Sequence, residues 1–104
     1  MEEDQLYLDP NLSLKSLSEH LDTNTKYLSQ VVNHCSGQNF QQFVNTYRIR
    51  LVKELLIDGA HTHLTLFGVA QQCGFKNKST FYKVFKDITG ITPKEFLAYE
   101  REID

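Results

Sequence analysis

The sequence carries one pattern of capping and apolar residues twice, at an offset of about 52 positions. In each copy, a residue able to cap a helix precedes a short stretch of helical apolar spacing, a tight turn follows, and an asparagine precedes a longer stretch that ends at a glycine. The caps and stops are Ser13, Asn24 and Gly37 in the first copy and Thr65, Asn77 and Gly90 in the second. Side-chain oxygens of Ser, Thr and Asn accept hydrogen bonds from the unpaired N–H groups of a first helical turn, and glycine readily adopts the left-handed conformation that ends many helices. The pattern predicts a short helix, a turn and a longer helix in each copy.

Helical spacing continues outside the two copies. Between them, residues 40 to 58 place apolar side chains three and four positions apart on one face, and Gly59 follows; these side chains are Phe40, Phe43, Val44, Tyr47, Leu51 and Leu55. After the second copy, Thr92-Pro93-Lys94-Glu95 has the residues of a capping box with proline at the first helical position, which predicts a terminal helix. A short opening helix is expected to end at Pro10. Because no alternating run is bounded by hairpin turns, we predict an all-α fold of about seven helices.

The predicted helices divide the chain into four parts. Residues 1–11 are expected to be a lead-in from an upstream module, 12–38 a first helix-turn-helix unit, 39–59 a linking helix, and 60–100 a second unit with the terminal helix. In the first unit, spacing assigns an apolar core to Leu14, Leu17, Leu21, Leu28, Val31 and Val32. The prediction is therefore two helix-turn-helix units joined by one long central helix.

Charge is segregated along the chain, although the net charge is only -2. Residues 1–24 are strongly acidic, whereas residues 25–90 carry eight Lys and Arg against three Asp and Glu. Residues 91–104 are acidic again. The middle of the chain thus carries a positive field of the kind that attracts phosphate.

Several classes of protein do not fit the sequence. It has no run of about 20 apolar residues to cross a membrane, and its start, Met1-Glu2-Glu3-Asp4, differs from a signal peptide. A cytoplasmic, nucleoid-associated location and no membrane contact are expected. Paired catalytic carboxylates, a nucleophile triad and a phosphate-binding glycine loop are all missing, so no enzymatic activity is expected.

The cysteines and histidines suggest neither a metal site nor a cofactor. Cys35 and Cys73 are far apart without a CxxC pair, and both are predicted to be small buried hydrophobic residues. His61 and His63 would give zinc only two ligands where it requires three or four. His34 beside Cys35 is not a catalytic pair, because neighbours on a helix point about 100° apart.

The second half of the chain contains a specific set of motifs. They are Val69-Ala70, Cys73-Gly74-Phe75, Ser79-Thr80-Phe81, Val84-Phe85-Lys86, Gly90 and Thr92-Pro93-Lys94-Glu95-Phe96. The first half adds Tyr27-Leu28-Ser29, Gly37, Phe40, Phe43, Tyr47-Arg48 and Leu55-Leu56. Over residues 12–98 the chain resembles the DNA-binding domain of AraC/XylS-type transcription regulators.

The resemblance implies sequence-specific binding of double-stranded DNA, with the second helix of each unit in a major groove. Carried over by position, base-reading residues fall on Lys26, Ser29 and Gln30 in the first unit and on Ser79, Thr80 and Lys83 in the second. Phosphate contacts fall on Asn77, Lys78, Tyr82 and Lys86, and the polar face of the first unit's second helix adds Thr25 and Asn33. Arg48 is also a candidate for a phosphate contact, although an arginine at this position can equally brace helices through a carboxylate or a carbonyl.

Two departures from the family's pattern affect the expected site. Gln30 stands where many relatives have arginine, which favours adenine over guanine as the base read there. Asp22 stands at a turn position where glycine is usual.

Operator DNA and RNA polymerase are the expected partners, and oligomerisation is expected to depend on upstream domains. The alternative is a helical protein-interaction module without DNA affinity.

Overall fold

A computed structural model describes residues 6–59 and 64–103, with the side chains of 100–103 excluded. Its elements are a 3₁₀ turn at Leu6–Leu8 and the helices α1 (Leu14–His20), α2 (Thr25–Ser36), α3 (Phe40–Ile57), α4 (Leu66–Gln72), α5 (Lys78–Thr89) and α6 (Pro93–Ile103). The described residues contain no strand. The predicted all-α class is confirmed, and the seven helical elements in this part of the chain match the expected number.

The predicted caps form as local chemistry requires. Asn24 Oδ1 accepts from the Tyr27 N–H and Asn77 Oδ1 from the Thr80 N–H, both at 2.8 Å. Ser13 and Thr65 cap α1 and α4 in the same way, and each such cap contributes about 1 kcal/mol to helix stability. The capping box of α6 is present, since the Thr92 N–H donates to Glu95 Oε1 and the Glu95 N–H donates to Thr92 Oγ1.

Two apolar cores lie on either side of α3, which contributes to both. The smaller core joins α1 and α2 and includes Phe40 and Phe43 from the start of α3. The larger core joins the second half of α3 to α4 and α5, with Val52 and Leu56 among its buried residues. We call α1 with α2 the first unit and α4 with α5 and α6 the second unit.

The first unit buries less of its apolar surface than the spacing predicts. Leu21 is 52% exposed because α1 ends at His20 and Leu21 lies at its C-cap. In α2 only Leu28 and Val32 are buried, and Val31 is 37% exposed. The small core covers a stripe one residue wide, so the flanking positions of α2 stay in contact with solvent.

The prediction that both cysteines are buried is half wrong. Cys73 is fully buried in the larger core, and burial raises the pKa of its thiol to about 12. Cys35 is exposed: it continues the stripe of Leu28 and Val32 toward the end of α2, but the small core does not extend to it. His61 and His63 lie outside the described residues. In the part of the chain that is described, no helix combines the length and apolar character needed to cross a membrane.

Candidate nucleic-acid interface

Helices α2 and α5 are equivalent members of the two units. Each has 12 residues, an asparagine N-cap and a left-handed glycine at its C-cap. Each buries two apolar residues four positions apart, Leu28 and Val32 in α2 and Phe81 and Phe85 in α5. The opposite face of each helix is therefore left to solvent, and both exposed faces carry mainly polar side chains.

The exposed face of α2 carries the predicted contact residues of the first unit. Thr25, Lys26, Ser29, Gln30 and Asn33 are all exposed, and their side chains make no hydrogen bond within the described residues. These side chains are available to a ligand without breaking an internal interaction. Tyr27 on the same helix is 59% exposed, which the spacing did not single out.

The exposed face of α5 carries the predicted contact residues of the second unit. Ser79, Thr80 and Lys83 are exposed and lie within four positions of one another. Asn77 uses its Oδ1 to cap the helix, so only its Nδ2 donors are left for a ligand. The face that the sequence predicts to read bases is therefore accessible.

The flank of α5 is more constrained. The Lys78 ammonium lies 5.7 Å from the centroid of the Tyr82 ring, which is half-buried, and this cation–π contact holds both groups at the start of the helix. Lys86 lies near Glu95 of α6. The pKa of Glu95 is lowered by hydrogen bonds from the Thr92 backbone and then its side chain, and the charge of Lys86 lowers it further. Lys86 is thus partly balanced by an acidic neighbour.

Of the two roles that the sequence left open for Arg48, the structure shows the bracing one. Its side chain is only 5% exposed, its Nε donates to the Tyr7 carbonyl at 2.7 Å, and its Nη2 donates to the Asp9 carbonyl at 2.9 Å. Burial lowers the pKa of Arg48, and Asp9 opposes that shift. Arg48 is the brace between α3 and the 3₁₀ turn, and two of its five N–H donors are used in that brace.

The turn between α4 and α5 packs against the same brace. Gly74 has φ +101°, and a Cβ built there would lie 2.5 Å from the Tyr7 carbonyl oxygen and 2.8 Å from Arg48 Nε. The backbone can approach this closely only because residue 74 has no side chain. The 3₁₀ turn, α3 and the turn between α4 and α5 therefore meet at one point.

The structure also brings together polar residues that the sequence-based prediction missed. Gln41 and Asn45 of α3 face Lys76, Asn77 and Thr80 across a cleft of about 230 Å³, whose floor includes Arg48. The signal was present in the spacing. Gln41 and Asn45 fall on the same helical stripe as buried Arg48 and Val52, but they are polar and so do not belong to the apolar spacing of the helix.

The fold and this surface define a helix-turn-helix domain in which two units share one central helix. A family model described as "Helix-turn-helix domain" matches residues 17–99. An uncharacterized HTH-type transcriptional regulator of Staphylococcus aureus (strain MSSA476) is 35% identical over 92 residues, which is 88% of this chain. The chain belongs to the AraC-type helix-turn-helix family of transcription regulators, which is not a class of enzyme.

Solved structures agree with this assignment. The C-terminal domain of the two-component response regulator yesN from Fusobacterium nucleatum superposes with a TM-score of 0.77 at 33% identity, covering 90% of this chain and 88% of that one. The C-terminal domain of AraT, a response regulator from Geobacillus stearothermophilus, shares the fold with a TM-score of 0.81 at 24% identity, covering 91% and 76%. The chain spans only 12% of the length of the S. aureus relative.

Proposed function

We propose that this chain is the sequence-specific, double-stranded-DNA-binding output domain of a bacterial transcription regulator, with α2 and α5 entering adjacent major grooves. The observation that carries the proposal is the equivalence of α2 and α5. Two helices of the same length and with the same caps each bury one face and present exposed donors and acceptors on the other. A major groove is wide enough to admit one such helix, and two units on one rigid scaffold suit two grooves.

Within this proposal, bases are read by Lys26, Ser29 and Gln30 of α2 and by Ser79, Thr80 and Lys83 of α5. The amide of Gln30 can pair with adenine through two hydrogen bonds, whereas Lys83 suits the acceptors of guanine. Phosphate contacts come from exposed or half-buried donors that flank these positions, namely Thr25, Asn33, Asn77, Lys78, Tyr82 and Lys86. Such contacts fix the register of the protein on the duplex, and the base contacts supply specificity.

The dimensions of the domain suggest that the DNA bends. Successive major grooves on one side of B-DNA lie about 34 Å apart. The longest dimension of the body is 46 Å, and it has to accommodate α1 and α6 as well as the two reading helices. We therefore expect α2 and α5 to be closer than one helical repeat, so that the duplex curves toward the protein at a cost of a few kcal/mol.

The experiment that tests the proposal begins with selection of binding sites from a random duplex library. Dissociation constants are then measured on the selected site and on a scrambled duplex at several salt concentrations. Gln30→Ala and Lys83→Ala should each weaken binding to the selected site by about 1–3 kcal/mol. Lys94→Ala removes an exposed lysine from α6, which packs behind α5, and serves as the control.

Three results would count against the proposal or a part of it. Unchanged affinity in both Gln30→Ala and Lys83→Ala would mean that the assigned reading faces are wrong. No enrichment of any duplex by the parent chain would reject DNA binding altogether and favour the protein-interaction module. If Gln30→Ala and Lys83→Ala weakened binding equally on the selected and the scrambled duplex, the two residues would contact phosphates and not bases.

The remainder of the regulator is a proposal as well. Because the chain spans only 12% of the relative's length, we propose that signal sensing and oligomerisation lie in other parts of the protein and that RNA polymerase is a second partner. A bivalent regulator gains affinity by linking two modest binding events. Equal affinity of the isolated domain and the intact regulator for one operator would contradict that part of the proposal.

A further inference from the structure

One face of α3 changes character along its length. Arg48 and Val52 are buried on this face against the 3₁₀ turn and the second unit. One and two turns earlier, the same face carries Asn45, which is half-buried, and Gln41, which is exposed. On this face of α3, two amide side chains therefore precede the buried residues. Gln41 Nε2 donates to Asn45 Oδ1 at 3.1 Å, which leaves the Asn45 Nδ2 donors unused by that bond.

The two amide side chains line one wall of a cleft, and the start of α5 lines the other. Lys76 is exposed in the turn before α5, and Asn77 and Thr80 line the same cleft. Arg48 adds a second positive charge at the floor, and its Nε and Nη2 donate to the carbonyls of Tyr7 and Asp9. Among the described residues no carboxylate lines this cleft, in a chain whose net charge is -2. The adjacent cleft on α3, of about 480 Å³, includes Asp87 and so differs in charge.

The position of the amides along the chain relates them to both reading helices. Only Gly37, Gln38 and Asn39 separate α2 from α3, so the first turns of α3 lie next to the end of α2. Asn45 lines both clefts, one shared with Thr80 at the start of α5 and one shared with Gln38 in the connection between α2 and α3. Asn45 therefore lies between the connection that follows α2 and the start of α5.

We propose that Gln41, Asn45 and Lys76 form a third DNA-contact surface, which binds the phosphodiester backbone of the segment between the two major grooves. This inference rests on the proposed function. Amide and ammonium donors suit phosphate oxygens, and such contacts position a protein on the duplex without carrying sequence information. The surface fixes the spacing between the two reading sites and contributes no base preference.

The test compares Gln41→Ala, Asn45→Ala and Lys76→Ala with the control Lys94→Ala, all in the full chain. Each of the three should bind roughly four- to tenfold more weakly, and equally so on the selected and the scrambled duplex. Lys76→Ala should also reduce the slope of log affinity against log salt by about 1. Thermal unfolding is measured for each variant, so that weaker binding is not mistaken for loss of fold.

A change on the DNA side identifies the contacted atoms. Neutral methylphosphonates replace the phosphates between the two half-sites of the selected duplex. Affinity of the parent should fall, and the difference between the parent and Lys76→Ala should disappear on the modified duplex. Persistence of that difference would overturn the phosphate assignment, as would amide variants that change base preference.

The outcomes separate this inference from the proposed function. If Lys83→Ala weakens binding while all three surface variants bind like the parent, the third surface is wrong and the proposed function stands. If the parent binds no duplex, both are wrong. If Lys94→Ala weakened binding as much as Lys76→Ala, the loss would reflect net charge alone. That result would overturn the assignment of Gln41, Asn45 and Lys76 to a contact surface.

Discussion

The substitution Gly74→Ala tests the junction where the 3₁₀ turn, α3 and α5 meet. At φ +101° an L side chain is strained, at a cost of about 1–2 kcal/mol. The new Cβ would also lie 2.5 Å from the Tyr7 carbonyl oxygen and 2.8 Å from Arg48 Nε. Neither atom can remain in place, so the hydrogen bond from Arg48 to Tyr7, now 2.7 Å long, has to stretch or break. Losing a hydrogen bond from a charged donor costs about 1.5–3 kcal/mol.

The two costs together give an expected loss of about 2.5–5 kcal/mol in the free energy of unfolding. Since 1 kcal/mol corresponds to about 4–8 °C in a domain of this size, Tm should fall by at least about 10 °C. Gly90→Ala is the matched control, because Gly90 has φ +85° but no atom lies within 4 Å of the position that its Cβ would take. It should lose only the strain cost of about 1–2 kcal/mol.

Thermal and urea denaturation of the two variants decide between strain and contact. An equal loss of stability in Gly74→Ala and Gly90→Ala would refute the contact with Arg48 and Tyr7. A double-mutant cycle with Arg48→Met adds a second check, since removing the guanidinium first should shrink the cost of Gly74→Ala by at least about 1 kcal/mol. Additive losses would mean that the two residues act independently.

Three further predictions follow from burial and pKa. A thiol reagent should modify exposed Cys35 rapidly in the native chain and reach Cys73, whose pKa is about 12, only on unfolding; two equally fast thiols would contradict this. The lowered pKa of Glu95 stabilises the fold above the pKa of an unfolded glutamate, about 4.3, and this contribution is lost as pH falls through the folded pKa. As pH is lowered, the Tm of Glu95→Gln should therefore fall less steeply than that of the parent. Identical slopes of Tm against pH would argue against a stabilising role of the Glu95 carboxylate. Amide hydrogens of α2 should exchange faster than those of α5, because the larger core covers α5. Faster exchange in α5 would contradict this order of local stability.

Local chemistry explains why so much of the fold could be predicted from the sequence. A cap depends on residues within one helical turn, so Asn24, Asn77 and Thr92 identify helix starts without knowledge of distant contacts. Asp22 illustrates the same point, since it adopts φ +56° at the turn position where the family usually has glycine. Asparagine and aspartate tolerate this conformation better than other residues with a side chain.

Burial depends on which elements cover a helix, and there the sequence was less informative. Cys35 has the spacing of a core residue, but the first unit has too few elements to cover more than Leu28 and Val32. Arg48 was ambiguous because its partners are backbone carbonyls about 40 residues earlier, which no side-chain pattern reveals. The cleft beside it was missed for the same reason, since Lys76 and Gln41 are far apart in the chain.

The shared helix α3 determines which partner has to adapt when both units bind one duplex. Its start lies in the first core through Phe40 and Phe43, and its second half lies in the other core through Val52 and Leu56. Arg48 and Gly74 then tie the middle of α3 to the turn before α5. The units therefore cannot change their spacing without breaking buried contacts, each of which costs several kcal/mol when an apolar side chain leaves a core. Smooth bending of a binding site costs about 1–6 kcal/mol, which is no more than the loss of one or two such contacts. The duplex, rather than the protein, is the partner that we expect to deform.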